Sequence, residues 1–182
     1  MNYKLPEYIE TDRLYIRQAK VEDNDVVFEA VMESFDEFSK WLFWVNSKYS
    51  REGSLSALSD AYKKYLENNE LLGLIFLKDT HELVGSVGLH NIKWDLNQFE
   101  AGYWCRKSMQ GLGFMPEAVN ALVDFTFNHL GARRICLTTD EENIASQKLA
   151  QKCEFIYEGT LHKDSLGADG NLRNTQVYAK WR

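Results

Sequence analysis

Cysteine and proline are scarce in this sequence of 182 residues, which holds three cysteines and two prolines. Cys105, Cys136 and Cys153 are odd in number, lie among apolar residues and show no C-x-x-C spacing. That pattern supports neither a disulfide framework nor a zinc site, so we expect reduced, buried thiols and no metal. Since no linker rich in proline and glycine interrupts the chain, we expect a single domain over residues 1–182.

Basic residues are also fewer than acidic ones: the chain has 21 lysines and arginines and 27 aspartates and glutamates, which gives a net charge of −6. No overall positive field is available to attract a phosphate backbone, so nucleic acid is not an expected partner. The acidic balance favours the approach of a cationic amine, although surplus carboxylates more often only keep a protein in solution.

The first twelve residues lack a long apolar run and carry Glu7, Glu10 and Asp12. This composition argues against a signal peptide or a membrane anchor in that segment. We therefore expect a cytoplasmic protein with no membrane partner.

The chain is otherwise that of an ordinary globular protein, with 45% apolar and 26% charged residues. Hydrophobic periodicity predicts one α+β domain of seven strands and five helices. The predicted strands span residues 13–18, 71–78, 83–92, 99–105, 134–139, 155–161 and 175–181, and the predicted helices span 22–34, 35–45, 54–68, 115–130 and 143–152. In the helix that starts at Met115, apolar residues recur at offsets 0, 3, 4, 7 and 8, which is typical of an amphipathic helix.

A glycine-containing turn, Gln110-Gly111-Leu112-Gly113-Phe114-Met115, lies between a predicted strand and this helix. Glycine permits positive φ, so successive backbone N–H groups can converge on one anion at the start of the helix. No Lys-Ser or Lys-Thr pair follows, which excludes a P-loop, and the preceding strands form a predicted meander instead of a first βαβ unit. A glycine turn alone is a weak signal, because tight turns use glycine for steric reasons as well.

The turn and its surroundings resemble the GNAT acetyltransferases, whose motif is Q/R-x-x-G-x-G/A. Gln110 and Gly113 match this motif, and Met115 departs from it in the last place. Met in that place, after Tyr103-Trp104, is similar to the RimJ/RimL branch that acetylates ribosomal-protein N-termini. Further matches lie at residues 10–17, 83–88, 100–104 and 143–152, so the resemblance covers almost the whole chain. It implies a GNAT fold, with a central mixed, mostly antiparallel sheet of six to seven strands, flanked by helices and splayed between strands four and five.

The resemblance also implies acetyl-CoA as cosubstrate and direct attack of an amine on the thioester, without an acyl-enzyme. Backbone groups of the fourth strand would bind the pantetheine arm, and the glycine turn would bind the diphosphate. The expected cofactor-binding residues are Tyr103, Trp104, Cys105, Gln110, Gly111, Leu112, Gly113, Phe114, Met115, Asn143 and Ser146.

Four residues are candidates for catalysis. Glu100 is the first candidate for the general base, with an ordinary solvated strand carboxylate as an equal alternative, and Asp164 is the second. Ser146 is expected to protonate the departing thiolate, while Asn143 caps the helix, contacts the cofactor, or does both. His90 and His129 are not favoured as bases, since they end a strand and a helix.

Trp41, Trp44 and His162 are the candidates for acceptor binding, although core packing is the simpler explanation of the aromatic stretch 35–45. The acceptor itself is left open among a protein N-terminus, a peptide, an amino sugar and a polyamine. A CoA-binding sensor without turnover and a plain interaction domain remain alternatives, and the chain is expected to be a monomer or a homodimer.

Overall fold

The computed structural model describes residues 4–167 and 170–182, and within these the chain forms one sheet of eight strands and five α-helices. The strands are β1 (Tyr8–Glu10), β2 (Leu14–Gln18), β3 (Leu71–Leu77), β4 (Leu83–Lys93), β5 (Gln98–Cys105), β6 (Arg134–Asp140), β7 (Ile156–Leu166) and β8 (Leu172–Trp181). The helices are α1 (Asn24–Glu33), α2 (Phe35–Trp41), α3 (Arg51–Leu66), α4 (Phe114–His129) and α5 (Ile144–Lys152). Ala168 and Asp169, in the predicted loop between the last two strands, lie outside the described residues.

The strands are arranged in the order β1-β2-β3-β4-β5-β6-β8-β7. Neighbours pair in antiparallel fashion except β5 and β6, which are parallel and are connected through α4. A parallel pair requires such a crossover, whereas short turns suffice for the antiparallel pairs. The predicted α+β class and the mixed, mostly antiparallel sheet are confirmed.

The observed elements differ from the predicted ones most clearly in the number of strands, the end of α2 and the end of β7. The sheet has eight strands within the described residues instead of six or seven, because β1 has three residues and is too short to show a periodicity. Helix α2 ends at Trp41 instead of residue 45, since Leu42 adopts an extended conformation and Val45 is buried in the core outside the helix. Strand β7 continues to Leu166, although its side chains are mostly exposed.

Two hydrophobic cores lie on opposite faces of the sheet. Helices α4 and α5 cover one face, and α1, α2 and α3 pack largely on the other. The predicted apolar stripe of α4 is confirmed, because all five of its residues are buried: Met115, Ala118, Val119, Leu122 and Val123. Within the described residues, we find no helix with the length and apolar character needed to span a membrane.

Candidate active site

The sheet opens into a fork between β5 and β6. The two strands pair only from Gln98 to Glu100 on β5, and the last pair joins Glu100 to Cys136. Beyond that pair β6 keeps β8 as its partner up to Asp140, while β5 continues to Cys105 beside β4. The predicted splay between the fourth and fifth strands is confirmed, and it leaves one edge of β5 without a strand partner.

A cavity of about 400 Å³ lies at this fork. Its walls come from α2, the end of β5, the glycine turn, and the first turns of α4 and α5. Eleven of the residues expected from sequence line it, namely Trp41, Tyr103, Trp104, Cys105, Gln110, Gly111, Gly113, Phe114, Met115, Asn143 and Ser146. Glu37, Lys148 and Lys152 line it as well, and they are not predictable from sequence because single charged residues on helices carry no motif.

The glycine turn has the backbone geometry expected of an anion site. Gly111 and Gly113 have φ values of 75° and 79°, in the left-handed region that a side chain disfavours. Gly113 immediately precedes α4, and no side chain caps that helix start. The first turn of α4 therefore lines the cavity with N–H groups that have no capping side chain, which suits a diphosphate.

The turn is held from one side by Arg13 and Glu117. Arg13 donates from Nη1 to the carbonyl oxygen of Leu112 at 3.1 Å and from Nε to Glu117 at 2.7 Å. The Arg13 guanidinium also lies 4.5 Å from the ring centroid of Phe114, and Thr11 donates to Glu117 at 2.5 Å. Burial alone would raise the pKa of Glu117, but the hydrogen bonds from Thr11 and Arg13 outweigh it and lower the pKa. The matched segment 10–17 thus supports the turn, a role that the sequence analysis did not assign.

The segment before the turn is held from the other side by α1 and α2. Glu33 accepts hydrogen bonds from Arg106 Nε at 2.6 Å and from the Ser108 N–H at 2.8 Å. The amide of Gln110 donates to Glu37 at 3.0 Å. The side chain of Gln110 is therefore engaged with α2, and its backbone remains the part available to a cofactor.

Tyr103 and Ser146 form the polar pair inside the cavity. The Tyr103 hydroxyl lies 2.7 Å from Ser146 Oγ, and Asn143 Oδ1 accepts from the Ser146 N–H at 3.1 Å. Asn143 is thus the N-cap of α5. Burial raises the pKa of Tyr103 to about 12, against a smaller opposing effect of the Ser146 hydrogen bond. Tyr103 is therefore protonated at neutral pH and is a proton donor.

Glu100 lies at the base of the fork and does not line the cavity. Thr138 Oγ1 and Asn91 Nδ2 each donate to its carboxylate at 2.8 Å, and His90 Nε2 lies 3.5 Å from Oε1. The pKa of Glu100 is lowered to about 2, first by the interaction with His90 and then by the hydrogen bonds from Asn91 and Thr138. Burial acts in the opposite direction and is outweighed. The carboxylate is networked instead of freely solvated, and so low a pKa makes it a weak proton acceptor at neutral pH.

The remaining candidates lie away from the cavity lining. Asp164 and His162 are exposed on β7, the edge strand that β8 separates from β6. Trp44 is near Tyr49, with ring centroids 5.9 Å apart, and Leu112 is 53% exposed. Asp164, His162 and Trp44 do not line the cavity, and Leu112 belongs to the glycine turn only through its backbone. The predicted roles of all four residues stay predictions.

The three cysteines are free thiols. Burial raises the pKa of Cys105 to about 12 and that of Cys153 to about 11, and it also raises that of Cys136. A thiol needs its thiolate form to act as a nucleophile or a metal ligand. The described residues contain no cluster of three or more histidine, cysteine or acidic side chains placed to hold a metal ion.

Comparison with known proteins assigns the family. Residues 13–156 match the Acetyltransferase (GNAT) domain. The chain belongs to the GNAT acetyltransferases. This GNAT chain is 29% identical over 171 residues to the uncharacterized N-acetyltransferase YoaA of Bacillus subtilis (strain 168), with 94% of each chain covered. It is an N-acetyltransferase enzyme.

Solved structures of GNAT proteins show the same fold. RimL, a ribosomal L7/L12 α-N-protein acetyltransferase in complex with coenzyme A, superposes with a TM-score of 0.90 at 22% identity, over 96% of this chain and 98% of that one. The microcin C7 self-immunity acetyltransferase MccE, solved with acetyl-CoA and AMP, has a TM-score of 0.89 at 20% identity and covers 98% of both chains. Both neighbours carry coenzyme A or its acetyl form.

Proposed function

We propose that this GNAT enzyme uses acetyl-CoA to acetylate a primary amine, most specifically the N-terminal α-amine of a protein of the ribosomal type. The observation that carries the proposal is the shared cavity at the fork. Into it open the uncapped start of α4, the unpaired edge of β5 and the Tyr103 and Ser146 hydroxyls.

The residues present fit the cofactor. Backbone N–H groups from Gln110 to Met115 bind the diphosphate at the positive end of α4. Lys148 and Lys152 line the same cavity, and neither has a carboxylate partner within residues 4–167 and 170–182, so both are available to phosphate groups. The unpaired N–H and C=O groups of β5 between Ala101 and Cys105 bind the pantetheine amides as a further strand would.

Acetyl-CoA supplies an acetyl group on a thioester, which the amine attacks directly. The site holds the two reactants together, which converts an encounter in solution into a positioned reaction. Tyr103 and Ser146 supply a proton to the leaving sulfur, since the Tyr103 hydroxyl is protonated at neutral pH and shares a hydrogen bond with Ser146. None of the three thiols is in the form that an acyl-enzyme requires.

The proposed acceptor is supported by fold similarity. RimL acts on the α-amine of ribosomal L7/L12, and its fold superposes over nearly the whole of this chain. Trp41 on α2 supplies an aromatic wall to the cavity, on which an ammonium group or an apolar N-terminal residue packs favourably. Such a substrate accords with a cytoplasmic enzyme, as monomer or homodimer.

Two measurements on the wild-type protein test the proposal. Calorimetric titration with acetyl-CoA is expected to show saturable binding and to raise the melting temperature. Release of free thiol is then followed with ribosomal-protein N-terminal peptides, the same peptides with a blocked α-amine, spermidine and an amino sugar. Turnover with the free peptides alone supports the full proposal, and turnover with spermidine or the amino sugar instead moves the acceptor to a small molecule. Binding without turnover on any amine would contradict the proposed reaction.

A further inference from the structure

The His90 imidazole lies over Gly102, next to the point at which β5 and β6 separate. A methyl group built on Gly102 would be 2.9 Å from His90 Cε1 and 3.3 Å from Nδ1. The glycine therefore leaves room for the ring on the surface of the sheet. The imidazole occupies that room beside the fork, outside the lining of the cavity, and its side chain is 40% exposed to solvent.

The two nitrogens of His90 have different surroundings. Nε2 faces Glu100 at 3.5 Å, while Nδ1 is on the side towards Gly102 and has no hydrogen-bond partner in the described part of the chain. A carboxylate near one imidazole nitrogen favours the proton on that nitrogen. Nδ1 is left with its lone pair and can accept a proton.

Glu100 is itself held by groups on two other strands. Its carboxylate accepts hydrogen bonds from Asn91 at the end of β4 and from Thr138 on β6, each at 2.8 Å. These bonds span the base of the fork. They keep the carboxylate ionised and in place beside the imidazole.

His90 and the Tyr103 hydroxyl lie on opposite faces of the sheet. Tyr103 packs against the α4 core, as do Phe99 and Ala101, so Gly102 belongs to the other face of β5 by the alternation of a strand. Leu89 also belongs to the α4 core, which places the neighbouring His90 on the same face as Gly102. One face of the fork thus carries a proton acceptor, and the other carries the proposed proton donor.

We propose that His90 is the general base of the transfer, accepting a proton from the acceptor ammonium at Nδ1, and that Glu100 is its positioning residue. The inference rests on the proposed function and specifies the acceptor face of the same site. His90 therefore takes the place of Glu100 as the expected base, and Glu100 holds His90 in position. An imidazole nitrogen with a free lone pair is the proton acceptor that enzymes use most often in general acid–base catalysis.

The proton balance is complete with these groups. The ammonium loses two protons in becoming an amide nitrogen. His90 takes the first and passes it to solvent through its exposed edge, and the nitrogen lone pair then forms the C–N bond. As the C–S bond breaks, the sulfur receives a proton from the Tyr103 and Ser146 hydroxyls, and the second proton of the nitrogen restores theirs.

The experiment compares His90→Ala and His90→Gln with His81→Gln on the amine that the wild type acetylates. His81 lies in the β3–β4 turn beside Tyr15, so its replacement is a matched loss of an exposed imidazole. We expect both His90 variants to lose roughly 10²-fold or more in kcat at an unchanged KM for acetyl-CoA, and His81→Gln to match the wild type. Added imidazole should restore turnover to His90→Ala, which a merely structural role would not allow.

Glu100→Gln provides a second test, because it keeps the shape of the side chain and removes the charge. A lower kcat with an unchanged KM for acetyl-CoA is expected, and added imidazole should not restore it while His90 remains in place. Wild-type turnover in His90→Gln, or a His90→Ala variant that binds acetyl-CoA but is not rescued by imidazole, would overturn the role of His90 alone. A wild type that acetylates no amine would overturn the proposed function, and this inference with it.

Discussion

Tyr103 Oη lies 2.7 Å from Ser146 Oγ, and this contact connects β5 to α5 across the opening of the fork. It is the one place in the described residues where a hydroxyl pair bridges the two sides of the cavity. Tyr103 is partly buried and its pKa is raised to about 12, so the pair keeps its protons at neutral pH.

Removing either hydroxyl is expected to slow the departure of the thiolate. Tyr103→Phe and Ser146→Ala should each lower kcat by roughly 10- to 100-fold, with a smaller effect on the KM for acetyl-CoA. The two hydroxyls act as one unit, so the double variant should be little slower than the worse single variant. Steady-state kinetics of the four proteins measures this, and fully additive losses would show that the two groups act separately.

Glu100 is expected to make the protein sensitive to acid. Its folded-state pKa, about 2, lies below the ordinary value of 4.5, so its stabilisation is fully present above pH 4.5 and is lost as the pH falls towards 2. That separation corresponds to about 3 kcal/mol of unfolding free energy. Urea unfolding of the wild type and Glu100→Gln should therefore converge in stability over this pH range. If the difference in unfolding free energy between the two proteins stays constant from pH 6 to about pH 2, the lowered pKa of Glu100 is refuted.

The left-handed glycines are expected to be needed for both folding and cofactor binding. Gly113→Ala places a side chain at a φ of 79° and should cost about 1–2 kcal/mol, which lowers the melting temperature by roughly 2–8 °C. Acetyl-CoA affinity should fall as well, because the first N–H groups of α4 shift. Gly53→Ala, in the first turn of α3, is the matched control and should leave affinity unchanged without loss of stability. Calorimetry and thermal melts report both quantities.

Arg13 is expected to act on cofactor binding through the turn that it holds. Arg13→Gln removes the bond to the Leu112 carbonyl and the contact with Phe114, and should weaken acetyl-CoA binding by roughly tenfold. Arg51 makes a similar set of contacts elsewhere, with Asp25 and with the ring of Phe28 at 4.6 Å. Arg51→Gln should leave the dissociation constant of acetyl-CoA unchanged. Equal effects of the two variants would argue against a specific role of Arg13.

The parts of the site that could be predicted are those that depend on local backbone conformation. The glycine turn and the apolar stripe of α4 were read from neighbouring residues, and both are present as expected. Asn143 was identified as a possible cap for the same reason, since its side chain bonds to the N–H three residues on. The end of α2 was predicted wrongly, because Val45 is buried without being helical.

The parts that could not be predicted depend on residues far apart in sequence. Arg13 and Glu117 are more than a hundred positions apart, and their contact follows only from the packing of α4 against the strands that precede it. From the sequence, His90 is only a residue near the end of a strand. The register of β4 and β5 is what places its ring over Gly102. Asp164 and His162 lie on β7, an edge strand of the sheet, and their predicted roles stay predictions.

The sequence by itself determined the family, the α+β class and the turn before α4, since glycine positions and hydrophobic periodicity act over a few neighbouring residues. Only the tertiary structure decided that β5 and β6 part after Glu100, that Glu100 is engaged by His90, Asn91 and Thr138, and that Tyr103 meets Ser146. The physical reason is that the proton affinity of a side chain depends on its burial and on its hydrogen-bond partners. Strand pairing brings those partners together from distant parts of the chain.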